Sequence, residues 1–333
     1  MYMHPIHPRP GLDVAVQTGA IRQRTHVCIL LCTFNGSAFL QEQLDSFLAQ
    51  DHRDWSLWIS DDHSTDATRR ILQDFILAHP DREVRLFDGV GRGHAANYLS
   101  LLCRPALPSD CFIALSDQDD VWLPDRLSRG LVRVAACEMA DDDAPVLYGS
   151  RTRLVDEDLT PMGLSRGLQR PPSFGNALVQ NVMAGNTLLL NPAALALVRR
   201  AGPGPDVPFH DWWLYLLLSG AGARLVFDEH PTVLYRQHER NALGTPNTLR
   251  GSIKRLDMVR RSVFRQAINR NLAALERHGA LLSPAHRQNA AIMARRGQGS
   301  RLRALRDIWR AGVRRQGRMQ SLFVFWAMMR RMI

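Results

Sequence analysis

The residues best equipped for chemistry are carboxylates, and they gather where apolar runs end. Ser116-Asp117-Gln118-Asp119-Asp120 places three carboxylates within four residues, directly after CFIAL (111–115). Two unit charges about 4 Å apart repel by about 4 kcal/mol at an effective dielectric near 20, so a partly buried trio needs protons, basic partners or a cation. Oxygen donors with no Cys or His beside them suit Mg2+ or Mn2+, which leave positions open for phosphate oxygens. The plainer reading is a solvated loop that caps the helix beginning at Leu123-Pro124-Asp125. Asp61 and Asp62 follow the run WSLWIS (55–60), where a carboxylate can accept from a base N–H or from ribose hydroxyls. Asp66 or Ser64, a few residues on, reads as the N-cap of the next helix. Asp211 opens a helix beside Trp212 and Trp213. An acidic residue there is ordinarily a cap or dipole partner, and the two indoles are either core or a flat wall for a sugar or base. Arg236 and His238 lie on one face of a final strand, placed for a diphosphate or a metal.

These residues need a scaffold, and the hydrophobic pattern supplies one. Short apolar runs at 27–32, 55–60, 84–87 and 111–115 alternate with amphipathic stretches at 39–50, 66–79, 94–102 and 123–139. Strand and helix in alternation predict a parallel sheet with crossover helices. In such a sheet ligands bind beyond the carboxyl ends of the strands. That rule selects the loops Thr33-Phe34-Asn35-Gly36, Asp61 to Asp66, Gly89 to Asn97 and Ser116 to Asp120. None contains GxGxxG or a GKS/T cradle, which disfavours a dinucleotide oxidoreductase or a P-loop enzyme. After Asp143 a looser mixture of strands and two helices extends the sheet, with separate strands expected in ARLVFDE (223–229) and TVLYRQH (232–238). Residues 1–24 read as a mobile leader, 25–244 as the α/β domain and 245–333 as a basic helical region.

Taken in order, VCILLCTFNG, WISDDHSTDAT, FIALSDQDDVWLPDRL, NVMAGNTLLLNP, PFHDWWL and LYRQHERNALG resemble the family 2 glycosyltransferases of the GT-A fold. DQDDVWLPDRL and HDWW are most similar to the bacterial rhamnosyltransferase-type members. The resemblance spans about residues 26 to 244. It implies a mostly parallel open sheet flanked by helices, with the base and ribose held by Thr33, Phe34, Asn35, Asp61 and Asp62. Asp117-Gln118-Asp119 matches the DxD motif, Asp119 binding the diphosphate through Mg2+ or Mn2+ and Asp120 lining the donor sugar. Asn97 and Arg236 join the nucleotide-sugar contacts, and His238 reaches the metal or phosphates. Gly185, Asn186, Trp212 and Trp213 fall on the acceptor side, and Asp211 matches the catalytic base of an inverting transfer. Two positions depart from the family pattern: His63 stands where Gly is usual, and Arg92-Gly93-His94 replaces Asn-x-Gly.

Composition narrows the setting. The 333 residues are 45% hydrophobic and 22% charged, with 23 Gly and 18 Pro, which excludes fibrous, low-complexity and disordered classes. Five cysteines without a CxxC argue against a disulfide or zinc framework. No apolar run approaches a membrane span, and the N-terminus lacks a signal-peptide core, so a cytoplasmic location is expected. The net charge of +10 hides an asymmetry: residues 250–333 carry 20 Lys and Arg against 3 Asp and Glu, leaving the rest at −7. Such a tail suits a polyanion. Its apolar stretch SLFVFWAMM (321–329) is too short to span, and can lie at an anionic membrane surface or dock on the body or another subunit. The expected partners are a dTDP- or UDP-linked sugar donor and a glycan or lipid-linked acceptor. A sugar nucleotidyltransferase and a basic nucleic-acid-binding protein are the rival readings, the second weakened by the lack of base-reading motifs.

Overall fold

Strand β1 (Val27–Thr33) is buried along its whole length, as is β2 (Trp55–Asp61). Strands covered on both faces carry uninterrupted apolar runs rather than an alternation. Side chains of β1 divide by parity: Cys28, Leu30 and Cys32 enter one core layer and Val27, Ile29 and Leu31 the other. The computed structural model describes residues 25–138, 144–238, 263–296, 298 and 300–330. The expected leader at 1–24 and the boundary near residue 244 lie outside the described residues.

Helix α1 (Leu40–Leu48) follows β1, α2 (Thr68–Ala78) follows β2, β3 (Val84–Asp88) leads to α3 (His94–Leu102), and β4 (Phe112–Ser116) leads through the two-residue β5 (Val121–Trp122) to α4 (Arg126–Glu138). Next come β6 (Val146–Val155), β7 (Pro161–Leu164), the short α5 (Phe174–Ala177), a 3-10 turn at Gly185–Thr187, β8 (Leu189–Leu190), α6 (Pro192–Ala201), α7 (His210–Ala221) and β9 (Arg224–Arg236). The sheet runs β3-β2-β1-β4-β8-β6-β9-β5, with β7 paired to β6. Pairs β3-β2, β2-β1, β1-β4 and β6-β9 are parallel, while β8 and β5 join their neighbours antiparallel. Helices α1, α2 and α4 cover one face; α3, α5, α6 and α7 cover the other.

Three details differ from the sequence expectation. The segments expected as two strands form one, β9, running through Pro231, with the register against β6 shifting between Ser150 and Thr152. At that shift Asp228 turns inward to an Arg129 ion pair of 2.7 Å. Helix α2 starts at Thr68, one residue later than a cap at Asp66 implies, and Asp66 accepts from the Thr68 amide at 2.9 Å. The C-terminal helices α8 (Val263–Arg277), α9 (Pro284–Ala294), α10 (Arg301–Arg310) and α11 (Arg318–Met329) share the core of α7. They are thus packed onto the body and extend its hydrophobic layer.

Candidate active site

Loop-to-loop hydrogen bonds assemble the edge beyond β1, β2 and β4. The Gln118 amide clasps the backbone of Phe34, accepting from its N–H at 2.9 Å and donating to its carbonyl at 3.1 Å. A Cβ on Gly36 would lie 2.3 Å from the Gln118 Oε1, so the clasp requires glycine there. The Phe34 ring itself stays 56% exposed, free to meet a flat ligand. Asn35 adopts a left-handed φ of 48° and accepts from the Thr65 amide at 2.8 Å, tying the first loop to the second. The Asp62 carboxylate accepts from the Gly91 and Gly93 amides at 2.7 and 3.1 Å and shapes the third loop. His63 has φ of 66°, which explains why glycine suits that position.

Two residues expected at the ligand edge are enclosed. Asp61 is fully buried, and its oxygens accept from Thr33 Oγ1, from the Ser64 amide and hydroxyl, and from Arg69. Asn97 is 1% exposed and exchanges two hydrogen bonds with Ser60. Both therefore hold loops together instead of facing outward, and Thr33 spends its hydroxyl in the same network.

The acidic loop is shaped by β9. Because β5 pairs antiparallel with β9 in register Val121 with Leu234, residues 120 and 119 arrive opposite 235 and 236, with 238 two residues further on. The Arg236 amide donates to Asp120 at 3.2 Å and its guanidinium to the Asp119 carbonyl at 3.0 Å, to Glu42 at 2.8 Å and to the Glu157 carbonyl. The guanidinium also lies 4.4 Å from the Phe39 ring centroid. It is a buried strut, 1% exposed, and does not point at a diphosphate as the sequence suggested. Asp120 is fully buried and accepts from Asn186 Nδ2 at 2.6 Å. Burial, with the neighbouring Asp119 and Asp117 charges, holds its carboxyl well above the usual range. Beside it Asp119 Oδ2 and His238 Nε2 lie 2.8 Å apart, both partly buried.

The third wall comes from α7. Asp211, in its first turn, accepts from the Trp212 amide at 2.7 Å and from the Gly185 amide at 3.2 Å. Burial pushes its carboxyl up to about 6, and the Asp117 charge adds to the effect. Gly185 can come this close only without a side chain, since a Cβ would lie 2.9 Å from His210 Nε2. Trp212 and Trp213 are buried, the former donating to the Ala177 carbonyl at 2.7 Å, so neither offers a wall to a sugar.

Sequence reasoning did not select His94 and His210. His94 heads α3 with its Nε2 3.5 Å from Asp117 Oδ1; burial lowers its pKa, but the Asp117 carboxylate outweighs this and leaves it raised. His210 stacks on Tyr98 at 4.0 Å, packs edge-on to His94 at 4.7 Å, and burial drives its pKa well below the ordinary value. The available signal for His94 was its place at a helix start beyond β3. Asp117, Asp119, Asp211, His94 and Phe34 thus surround one mouth at the strand ends.

A parallel sheet with a basal acidic loop at β4 and a carboxylate at the head of a later helix defines the GT-A class of glycosyltransferases. Residues 28–174 match the model of the family described as "Glycosyl transferase family 2". The chain is 29% identical over 259 residues to the dTDP-rhamnosyl transferase RfbG of Shigella flexneri, covering 74% of this chain and 84% of that one. Among solved structures, the mannosyltransferase PcManGT of Pyrobaculum calidifontis, in complex with GDP-Man and Mn2+, superposes with a TM-score of 0.53 at 20% identity over 86% of this chain and 74% of its own. Residues 1–349 of TarS from S. aureus, in complex with UDP-GlcNAc, give 0.52 at 13% identity over 86% and 83%. The nucleotidyltransferase and nucleic-acid readings give way to this class.

Proposed function

We propose that the protein is an inverting transferase that moves a deoxyhexose such as rhamnose from a dTDP-linked donor, or a UDP-linked one, to a glycan or lipid-linked acceptor in cell-envelope polysaccharide synthesis, at the inner face of the membrane. The observation that carries this reading is Asp211, a desolvated carboxyl facing the same mouth as the acidic loop. The likeness to a dTDP-rhamnosyl transferase supports the donor class.

In the transfer, Asp211 takes the proton of an acceptor hydroxyl as that oxygen bonds to the anomeric carbon. The bond from that carbon to the β-phosphate oxygen breaks, the nucleoside diphosphate departs with the electron pair, and the configuration inverts. A base raised toward neutrality combines ionisation with proton affinity at working pH, and such help contributes about 10² to 10⁴ in rate. Phe34 offers its ring to the base, and Asp62 and Gln118 keep the loops that receive the nucleotide in shape. Asp120 lines the donor-sugar side, held by Asn186 and the Arg236 amide.

Asp119 and His238 suit a divalent ion, Mg2+ or Mn2+, because their donor atoms already converge at 2.8 Å. Among the described residues no three His, Cys, Asp or Glu side chains group as a closed metal site. Such an open pair fits a cation that takes its remaining ligands from diphosphate and water. When bound, it would neutralise charge growing on the leaving diphosphate.

Thermal-shift titration with dTDP, UDP and GDP, each with Mn2+ and with EDTA, tests the reading. A metal-dependent rise in melting temperature with dTDP or UDP is expected. A shift with GDP alone would overturn the donor class, and no shift with any of them would overturn the donor site.

A further inference from the structure

Helix α11 is apolar on both sides, yet only one side is packed. Ser321, Val324, Ala327 and Met328 face the body, and the last three join its core. On the opposite side Met319, Leu322, Phe323, Trp326 and Met329 are 40 to 77% exposed. Their spacing of three and four residues makes one continuous stripe. These are five of the twelve large apolar side chains that are exposed among the described residues, gathered on a single helix. Contiguous apolar surface of this kind marks an interaction site.

The charge around the stripe selects what it fits. Arg318 and Arg330 stand exposed at its two ends, with Arg314 exposed just before it. The Arg330 guanidinium reaches within 6.0 Å of the Trp326 ring centroid. On α10, Trp309 is 72% exposed among Arg303, Arg306 and Arg310, also exposed. An open cavity of about 530 Å3 lies at the start of the stripe, lined by Gln169, Arg170, Gly317, Arg318, Met319 and Gln320. A second copy of this chain, packed two-fold along the stripe, would bring arginines against arginines. A nucleic acid would satisfy the arginines but leave Met319, Leu322 and Met329 without an apolar partner. An anionic bilayer satisfies both: aromatic and aliphatic side chains enter the headgroup boundary while arginines meet lipid phosphates.

We infer that the outer face of α11 docks the protein on an anionic phospholipid surface. This rests on the membrane-side placement proposed above, yet its test needs no transferase activity. Gln316 links the dock to the body, accepting from the Gln169 and Arg170 amides at 2.9 Å and donating to the Arg170 carbonyl at 3.1 Å. Docking therefore brings Gln169 and Arg170, which line the cavity beside Met319, next to the lipid surface.

The test is co-flotation of the full chain with vesicles of phosphatidylglycerol and phosphatidylcholine, beside vesicles of phosphatidylcholine alone, at low and at 0.5 M salt. Binding is expected to anionic vesicles only and to weaken with salt. Phe323→Glu with Trp326→Glu should lower vesicle affinity at least about tenfold, and Arg318→Glu with Arg330→Glu should do the same, with unchanged melting temperature and nucleotide response. Undiminished flotation of either folded variant overturns the proposal. So does absence of flotation by the parent, since the stripe is then covered by another part of the chain. A dimer in light scattering that the Glu variants dissolve points to a second copy instead, and stripe-dependent DNA binding without flotation points to nucleic acid. Failure of the nucleotide titration with intact flotation would refute the donor assignment and leave the dock standing.

Discussion

Replacing Asp211 by Asn should abolish transfer and yet improve stability at alkaline pH. The carboxyl titrates at about 6 in the folded protein against 3.8 as a free side chain, with burial as the first cause. A raised acid pKa means that the folded state binds the proton more tightly than the unfolded state. Its stabilising contribution is complete below pH 3.8 and is lost as the pH rises through 6. At 1.36 kcal/mol per unit, keeping the ionised group in place costs about 3 kcal/mol at pH 8 and about 1 kcal/mol at pH 4.5. Asparagine escapes this cost but has one acceptor where Asp211 uses two oxygens, for the Trp212 and Gly185 amides. That loss is independent of pH, so the difference between two pH values isolates the charge. From pH 4.5 to 8 the variant should gain about 2 kcal/mol on the parent, about 3 °C in melting temperature for a chain of this length. The assay is paired thermal melts in EDTA without nucleotide, together with turnover, which should fall by at least about 10². A melting gap that stays constant with pH would show that the carboxyl is not desolvated, and retained turnover would remove it from the chemistry.

Other perturbations read out other parts of the site. Asp119→Ala should abolish the Mn2+-dependent part of nucleotide affinity while leaving the EDTA baseline intact; identical titrations for variant and parent would make the acidic loop a cap only. Gln118→Ala loses two hydrogen bonds to the Phe34 backbone, each worth about 1 kcal/mol. Nucleotide affinity should drop about tenfold or more by calorimetry, and no change would show that the loop is held by other contacts. Arg236→Met leaves Glu42 and two carbonyls without their donor. Glu42 is 49% exposed and loses little, but leaving buried carbonyls unpaired costs about 1 to 3 kcal/mol each, so denaturant melts should show a clear loss; a change under about 1 kcal/mol would contradict the strut role. The pH profile of kcat/KM should fall tenfold per unit below about pH 6, as Asp211 protonates.

The sequence made the sheet legible because its strands are buried on both faces, and burial of that kind writes itself as apolar runs. It also marked the strand ends, and with them the acidic loop and Asp211. It could not tell which carboxylates at an edge face outward. Asp61 and Asp62 are adjacent and chemically alike, but successive strand residues point to opposite sides, and the inward one is consumed by Thr33, Ser64 and Arg69. Arg236 and His238 share a face, yet the first is locked under the acidic loop, on the Asp119 carbonyl, and only the second reaches the Asp119 carboxylate. That partition depends on Glu42 and Glu157, residues 194 and 79 positions away in the chain. No local pattern encodes it.

The two tryptophans after Asp211 carry the same lesson into energetics. An indole beside a carboxylate reads equally as sugar platform or core, and burial of Trp212 and Trp213 decides for core. Their role in the site is then indirect and larger. By anchoring the first turn of α7, Trp212 through its bond to the Ala177 carbonyl, they fix Asp211 where Gly185 can reach it and water is thinned around it. Desolvation raises the carboxyl toward neutrality, so the basicity that the transfer uses is produced by the packing of residues that need not touch substrate.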